Sequence, residues 1–245
     1  MPGIADHPSP NHGPRMAGSP VDMLVLHYTG MKTAEAALAR LCDPAAQVSA
    51  HYMIDEDGTI LRLVDESRRA WHAGVAHWRG HSDVNSRSIG IELVNPGHEH
   101  GYRPFPEAQV AALIDLASSI IARHPIPARN VVGHSDIAPD RKTDPGELFD
   151  WPRLAARGIG LWPAERDAEI AAIPAMLQQY GYAPDSEAAL SAFQRHFRPS
   201  RIDGQPDTEC ARLLAARLET ASSYFYAERI NATTRLALNG GQDAF

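Results

Sequence analysis

The sequence predicts an α/β fold, in which a central mixed β-sheet is flanked by helices and is followed by a small all-α domain. Three observations support this prediction. Short apolar runs of strand type alternate with helical segments between residues 21 and 163. Residues 164–222 contain helical segments and no strand-like run. A composition of 44% hydrophobic and 22% charged residues over 245 positions is typical of a folded globular chain.

The first half of the predicted sheet comes from two strand signals with a helix between them. The run VDMLVLHYTG is apolar up to His27, where we expect a buried strand to end. The segment HYMIDEDGTILRLV predicts two strands around the turn Glu56-Asp57-Gly58, which is a strong hairpin signal. The helix between them begins after its cap, Thr33, and stops before Asp43-Pro44.

Two more strands and one long helix complete the predicted core. SIGIELVN predicts a strand that is apolar except at Glu92, and NVVGHSD contains a short buried strand that leads to His134. A helix over residues 106–123 starts at Pro106. Its apolar residues share one face: Val110, Leu113, Ile114, Ala117 and Ile121.

The chain divides into four predicted parts. The prolines and glycines of residues 1–20 predict a flexible lead-in, and the polar residues 223–245 predict a flexible tail. Between them lie the α/β domain, residues 21–163, and the helical domain, residues 164–222. Because the helical segments carry apolar positions of their own, we expect the second domain to be separable from the first.

Charge and cysteine content exclude several classes of protein. Acidic residues outnumber basic ones 30 to 23, which gives a net charge of −7. No run of like charge is long enough to indicate an arm for nucleic acid. Cys42 and Cys210 are the only cysteines, so a disulfide framework and any site with three thiolates are excluded.

The sequence also predicts where the protein acts. No apolar stretch approaches the ~18–20 residues that a membrane span needs. The N-terminal residues lack the basic region and the apolar region of a secretory signal. We therefore expect a cytoplasmic protein, or a periplasmic one if a leader has been removed.

Histidines are abundant, at 12 in the chain, and two of them follow predicted strands. His27 and His134 each stand at the end of an apolar strand, and Asp144 follows His134 by ten residues across a loop. Two imidazoles and a carboxylate suit a catalytic Zn²⁺, because three protein ligands leave the fourth tetrahedral position open. By spacing alone, any one of these residues could equally be an ordinary core or surface residue.

Four further residues near these segments could carry chemistry. Glu92 interrupts an apolar strand, so it must face a polar cavity, a partner or solvent, since burying a carboxylate alone is costly. Next to a metal site it would be a natural general base. Lys142 could stabilise a developing oxyanion, or could simply be a solvated loop lysine. Trp71 and His72 could wall a groove, although their position alone favours packing.

At this point the sequence resembles a known family. LHYTG, SAHYMIDEDGTI, AWHAG, NSRSIGIELVN and GHSDIAPDRKTDPG occur in the order found in zinc-dependent N-acetylmuramoyl-L-alanine amidases of the AmpD/AmiD (amidase_2) branch. The resemblance covers about 140 residues. The later segments YGY and AFQRHFRP resemble the C-terminal peptidoglycan-binding domain of the AmiD group, to which the similarity is greatest.

The resemblance assigns a role to each candidate residue. It implies one Zn²⁺ per chain with His27, His134 and Asp144 as ligands, Glu92 as the residue that activates water, and Lys142 as the stabiliser of the oxyanion. It further implies a substrate-binding role, in which residues line or support the groove, for five others: His51, Trp71, His72, Asn85 and Arg141.

The implied activity is zinc-dependent hydrolysis of the amide bond between the lactyl group of N-acetylmuramic acid and the L-alanine of the peptide stem. We expect anhydro and non-anhydro sugars as substrates, and peptidoglycan fragments or the sacculus as partners, in recycling or degradation. The alternatives are a non-catalytic peptidoglycan-recognition module and a zinc peptidase. Such modules typically lack the third ligand, which is present here as Asp144, and no HExxH pair supports the peptidase.

Overall fold

The structure, a computed structural model, describes residues 3–162 and 165–218 of the chain. These residues form two compact units. The first unit contains residues 3–162 together with residues 181–205, and the second contains residues 165–180 and 206–218. Every described strand lies in the first unit, whereas the described part of the second consists of helical and irregular segments.

The first unit alternates short strands and helices along the chain. Its described strands are β1 (Ile4–Asp6), β2 (His12–Pro14), β3 (Met23–Tyr28), β4 (Tyr52–Ile54), β5 (Ile60–Arg62), β6 (Arg68–Ala70), β7 (Ser88–Leu93) and β8 (Val131–Gly133). The helices are α1 (Ala34–Cys42), α2 (Val84–Arg87), α3 (Gly97–His100), α4 (Glu107–Arg123), α5 (His134–Ile137) and α6 (Trp151–Ala155), with a 3-10 turn at Ala128–Asn130. Two later helices are α7 (Ile173–Tyr180), in the second unit, and α8 (Ala189–Phe197), in the first.

The main sheet has six strands in the order β1-β5-β4-β7-β3-β8, and β2 pairs with β6 in a separate ribbon. β3 is parallel to both β7 and β8, and β7 is parallel to β4. β4 and β5 are antiparallel, which makes the sheet mixed. The predicted fold class, a central mixed sheet flanked by helices with helices in the C-terminal part, is therefore confirmed.

The central strands are buried on both faces, and the two faces differ in chemistry. On one face, alternate residues of β3 and β7 such as Leu24, Leu26 and Ile91 pack against α4 in the main core. On the other face stand the intervening residues, because successive side chains of a strand point to opposite sides. His27 and Glu92 are register partners on this second face. The first face is thus apolar, whereas the second carries the polar residues His27 and Glu92 beside buried apolar ones such as Val25 and Met53.

The predicted helices and the hairpin form where the local signals place them. The Thr33 hydroxyl accepts a hydrogen bond from the Ala36 amide at 3.2 Å and so caps α1. β4 and β5 form the hairpin, whose Gly58 has a φ of +88°. A Cβ on Gly58 would lie 2.8 Å from the Ala108 carbonyl oxygen, so glycine is required there for two reasons.

The prediction of a flexible lead-in is wrong for the described residues up to 20. β1 pairs with β5 and β2 pairs with β6. Ser9 is buried and donates its hydroxyl to the Leu41 carbonyl at 2.6 Å. Asn11 is also buried, and its amide donates to the Asp43 carbonyl at 2.8 Å. Proline and glycine content cannot reveal pairing with strands that lie far along the sequence, because this pairing is non-local.

The predicted domain boundary between residues 163 and 164 does not separate the two units, because residues 181–205 belong to the first unit. The Tyr182 hydroxyl donates to Oδ1 of the buried Asp136 at 2.7 Å. The ring of His196 lies 2.7 Å from Oδ2 of the same carboxylate, through Nδ1, and stacks on Trp151 with centroids 3.8 Å apart. Helical composition predicted α8 correctly but carried no information about which core the helix would join.

The second unit is small and helical in its described residues. It contains a 3-10 turn at Ile170–Ala172, α7, and a helical stretch over residues 208–218. The Arg166 amide donates to the Arg212 carbonyl at 3.2 Å and so joins its two segments. The predicted tail, residues 223–245, lies outside the described residues. Within the described residues, no helix has both the length and the apolar character that crossing a membrane requires.

Candidate metal centre

The candidate ligands come from one edge of the sheet. β3, β7 and β8 run parallel, so their C-terminal ends lie at the same edge, where ligands commonly bind in open α/β sheets. His27 is the penultimate residue of β3, and His134 directly follows β8 as the first residue of α5. Asp144 lies in the loop after α5, and its carbonyl accepts the Ser135 amide at 2.9 Å. This bond holds the loop beside His134.

The three predicted ligands converge. Oδ2 of Asp144 lies 3.1 Å from Nδ1 of His27 and 3.1 Å from Nδ1 of His134. The two Nδ1 atoms are 3.0 Å apart, and all three side chains are buried. The cluster therefore has the donor set and the spacing of a candidate metal site, as predicted from the sequence.

The surroundings of His27 and Asp144 favour the protonation states in which these side chains can bind a metal ion. Burial, reinforced by the neighbouring His134, lowers the pKa of His27 to about 4, so the ring is neutral at pH 7. Burial opposes the ionisation of Asp144, but the two histidines outweigh it and hold its pKa far below the usual range. The other ring nitrogen of His134, Nε2, lies 3.1 Å from the Ala73 carbonyl, which can only accept. His134 therefore donates from Nε2, and in the neutral form of the ring the lone pair of Nδ1 faces Asp144.

Glu92 has the environment of a proton-transfer group. One of its carboxyl oxygens, Oε2, is buried and has no hydrogen-bond partner in the described part of the chain. Burial, followed by the charge of Asp144, raises the pKa of Glu92 well above its usual value, and Lys142 opposes this rise. A buried carboxyl oxygen without a partner, beside a cluster of candidate metal ligands, fits a site that also holds a cation and a water.

These groups open into one cavity of about 840 Å³. Four of the residues predicted to act in catalysis or metal binding line it: Glu92, His134, Lys142 and Asp144. Lys142 is half-buried, and its backbone amide donates to the Ala138 carbonyl at 3.0 Å. Trp71, His72 and Arg141 also contribute to the wall. A cavity of this size can hold a ligand larger than a single amino acid.

Two of the five residues predicted to line or support the groove lie behind the cavity wall. His51 is fully buried and accepts the Gly90 amide at 3.0 Å through Nδ1, and Asn85 is also buried. The Asn85 side-chain oxygen accepts the backbone amides of His72 and Ala73 at 3.1 and 2.9 Å. Neither His51 nor Asn85 lines the cavity. They hold its wall in place, and a sequence motif cannot distinguish a lining residue from the residue behind it.

Arg141 and His72 reach the cavity wall but are committed to contacts within the protein. The Arg141 guanidinium donates to the carbonyls of Ala73 and Val75, and Ala73 is the residue that also orients His134. His72 is buried, and burial together with His27 keeps the pKa of its ring well below the usual value. Its Nδ1 and Nε2 atoms are both within hydrogen-bond distance of protein partners.

Sequence reasoning missed residues on both sides of the ligand cluster. At the cavity mouth, the Tyr28 hydroxyl lies 3.1 Å from the Thr143 hydroxyl and 2.9 Å from Nδ1 of His98. Behind the cluster, the Ser88 hydroxyl lies 3.0 Å from Nε2 of His72. A usable signal was present for Ser88, because the non-apolar residues of SIGIEL alternate with apolar ones and so share a strand face.

Comparison with known proteins gives a consistent result. A family model described as N-acetylmuramoyl-L-alanine amidase matches residues 17–147. The chain is 41% identical over 231 residues to the N-acetylmuramoyl-L-alanine amidase AmiD of Escherichia coli, which covers 81% of this chain and 83% of the relative. It is 37% identical over 166 residues to the 1,6-anhydro-N-acetylmuramyl-L-alanine amidase AmpD of Enterobacter cloacae, covering 61% of this chain and 87% of that protein.

Two similar solved structures contain bound muropeptides. The structure of E. coli AmiD with anhydro-N-acetylmuramic acid-L-Ala-D-gamma-Glu-L-Lys has a TM-score of 0.76 at 39% identity and covers 84% of this chain and 91% of its own. The structure of AmpDh3 from Pseudomonas aeruginosa with anhydromuramic pentapeptide has a TM-score of 0.76 at 35% identity. It covers 84% of this chain and 95% of its own.

Proposed function

Because the chain belongs to the N-acetylmuramoyl-L-alanine amidase family and is an enzyme of that class, we propose that the cavity at the sheet edge is its active site. There it hydrolyses the amide bond between the lactyl group of N-acetylmuramic acid and the L-alanine of a peptide stem. One observation carries the proposal: two histidine nitrogens and one carboxylate oxygen converge at a cavity lined by Glu92, whose buried Oε2 atom has no hydrogen-bond partner among the described residues.

His27, His134 and Asp144 would hold one Zn²⁺. When bound, this ion supplies a Lewis acid for the scissile carbonyl and lowers the pKa of water at the site. The donor set supports zinc, because two neutral imidazoles and one carboxylate are typical of catalytic zinc sites. Arg141 and His134 converge on the Ala73 carbonyl, which keeps the His134 ring in its ligating orientation.

Glu92 and Lys142 perform the proton and charge chemistry in this proposal. Glu92 takes a proton from the attacking water and delivers it to the departing amine of L-alanine. Burial raises the pKa of Glu92, which favours its carboxyl holding the proton between the two steps. The Lys142 ammonium offsets the negative charge that develops on the carbonyl oxygen.

The substrates we propose are muropeptides, with anhydro or non-anhydro sugars, and larger peptidoglycan fragments. The bound ligands of the AmiD and AmpDh3 structures support this class of substrate. The exposed cations Lys32 and Arg40 at the cavity suit a peptide stem with free carboxylates.

We further propose, from the sequence alone, that the protein acts in the cytoplasm. Fractionation of cells that express the protein would test this proposal.

The test of the proposed function pairs metal analysis with product analysis. Purified protein is loaded with zinc, assayed for metal content, and incubated with anhydro- and non-anhydro-muropeptides, whose products are identified by mass spectrometry. We expect one zinc per chain and release of a peptide that begins with L-alanine.

Asp144→Ala should lose both the metal and the activity, because it removes the anionic ligand and leaves two neutral imidazoles. Asp115→Ala, at an exposed position of α4, is the matched control and should retain both. Full zinc occupancy in Asp144→Ala, or a wild-type protein that releases no peptide, would contradict the proposal.

A further inference from the structure

A chain of hydrogen bonds runs from His27 back into the protein, on the side of the ring away from Asp144. Nε2 of His27 lies 3.0 Å from Nδ1 of His72. Nε2 of His72 lies 3.0 Å from the Ser88 hydroxyl, which in turn lies 2.7 Å from the Val84 carbonyl. All four residues of this chain are buried, so water does not compete for these bonds.

The direction of each bond in this chain follows from its last member. A carbonyl oxygen can only accept, so the Ser88 hydroxyl must donate its single proton to Val84. Ser88 therefore accepts from His72, whose proton is on Nε2. The neutral ring of His72 then has an unprotonated Nδ1, which accepts from Nε2 of His27. The proton of His27 is thus on Nε2, and its Nδ1 lone pair faces Asp144 and His134.

We infer that His72 and Ser88 are positioning residues for the metal centre: they hold the ring proton of His27 on Nε2 and so keep Nδ1 free to bind the ion. The inference rests on the proposed zinc-dependent function. The family resemblance implied that His72 lines or supports the groove, and this inference gives it a more specific role at the metal centre. The Ala73 carbonyl performs the equivalent task for His134, with a backbone atom in place of a side chain.

The strand face explains why the chain of bonds can form. Ser88, Gly90 and Glu92 are alternate residues of β7 and so stand on one face, the face of His27. The His72 ring lies directly over Gly90, where a Cβ would be only 2.5 Å from its Cγ atom. The glycine therefore makes room for the ring between Ser88 and His27. Any side chain at position 90 would displace the His72 ring from its position between Ser88 and His27.

The experiment measures zinc affinity and ring tautomers in the full-length protein. Zinc dissociation constants are determined by competition with a chromophoric chelator for wild type, Ser88→Ala, His72→Phe and His72→Asn. Because loss of such an outer hydrogen bond typically weakens metal binding by about 10- to 100-fold, we expect that loss in His72→Phe and a smaller one in Ser88→Ala. His72→Asn should recover part of the affinity, since its amide oxygen can take the place of Nδ1 as acceptor.

Ser86→Ala is the matched control. Ser86 is also a fully buried serine, two residues before Ser88, but its hydroxyl accepts the Met16 amide and is not part of the chain. Its loss should leave zinc affinity unchanged even if it lowers the melting temperature. Long-range proton–nitrogen correlation spectra of the zinc-loaded wild type provide a second readout. They should show His72 with its proton on Nε2.

The outcomes separate the inference from the proposed function. A wild-type protein that does not bind zinc would overturn the proposed function and the inference with it. Wild-type zinc affinity in folded Ser88→Ala and His72→Phe, or a His72 proton on Nδ1, would overturn the inference alone. If His72→Phe does not fold, the wild-type spectra and the comparison of Ser88→Ala with Ser86→Ala still decide it.

Discussion

Glu92 occupies a position that the fold alone would not favour. Its Oε2 atom is buried without a hydrogen bond, which costs free energy of folding on the order of 1–3 kcal/mol for an unsatisfied polar group. A hydrophobic residue would suit the strand better. The carboxyl can serve a purpose only in the cavity, where it lies beside the candidate metal ligands. We therefore assign the proton transfer to Glu92.

Replacing this carboxyl by an amide tests the assignment. Glu92→Gln should lower kcat by about 10²- to 10⁴-fold, because an amide cannot accept the proton of the attacking water. Zinc content should stay at the wild-type level and the melting temperature of the metal-free protein should not fall. Glu35→Gln, at an exposed position of α1, is the control. Near-normal turnover by Glu92→Gln would show that the residue has no catalytic role.

The chain has two lysines, Lys32 and Lys142, and both line the cavity. Lys142→Ala should reduce kcat more than it raises KM, because a contact with the developing oxyanion acts mainly in the transition state. Lys32→Ala should affect KM at most, since Lys32 is an exposed residue just before α1. Steady-state kinetics on one soluble muropeptide distinguish the two. Equal effects on kcat from both variants would argue against an oxyanion role for Lys142.

At the scale of elements, one carboxylate joins the hairpin to the end of the long helix. Glu66 follows β5 and accepts the Tyr52 hydroxyl at 2.7 Å, the Arg123 guanidinium at 2.6 Å and Nε2 of His124 at 2.7 Å. Burial opposes the ionisation of Glu66, but these bonds outweigh it and lower the pKa to about 2. The carboxylate thus holds β4 and the C-terminal end of α4 together behind the sheet.

This lowered pKa predicts a pH-dependent contribution to stability. The Glu66 carboxylate should stabilise the fold at pH values above its unfolded pKa of about 4.5 and lose this effect as the pH falls toward 2. At about 1.4 kcal/mol per pKa unit, this lowering corresponds to about 3 kcal/mol at neutral pH, an upper value because solvent screening reduces it. Urea midpoints of wild type and Glu66→Gln should therefore differ at pH 7, and the difference should shrink below about pH 4.5 and be largely lost near pH 2. A difference that stays constant from pH 7 down to pH 2 would rule out the ion-pair explanation.

At the scale of the whole molecule, residues 181–205 complete the first unit. They supply Tyr182 and His196 as partners of Asp136, whose Oδ2 also accepts the Gly133 amide at 2.8 Å next to His134. Asp136 is 1% exposed, so without these two partners its carboxylate would be left poorly satisfied or exposed. The sequence prediction of a separable segment from 164 onward overlooked this contact.

A chain that ends after Trp162 should therefore be destabilised rather than merely shortened. It loses both partners of Asp136, and breaking a buried network of this kind typically costs several kcal/mol. A chain that ends at residue 205 keeps them and should retain its zinc and its activity on small muropeptides. Tyr182→Phe in the full chain should cost about 1–3 kcal/mol of unfolding free energy. Equal melting temperatures for the two truncated chains would contradict this account.

The sequence by itself determined the local elements and the identity of the chemical groups. Strand runs, the Thr33 cap, the hairpin turn and the α4 face all depend on neighbouring residues, and their signals are local. The convergence of His27, His134 and Asp144 was predicted as well, because each stands beside an apolar strand or a short loop and the family motifs name it.

Only the tertiary structure decided which side chains meet across long distances in the sequence. It placed β1 and β2 against later strands, residues 181–205 against Asp136, and His51 and Asn85 behind the cavity wall instead of on it. It also aligned Ser88, His72 and His27, which are separated by up to 61 residues, into one chain of hydrogen bonds. Such contacts depend on strand register and on which face of the sheet is buried, and no local window of sequence contains that information.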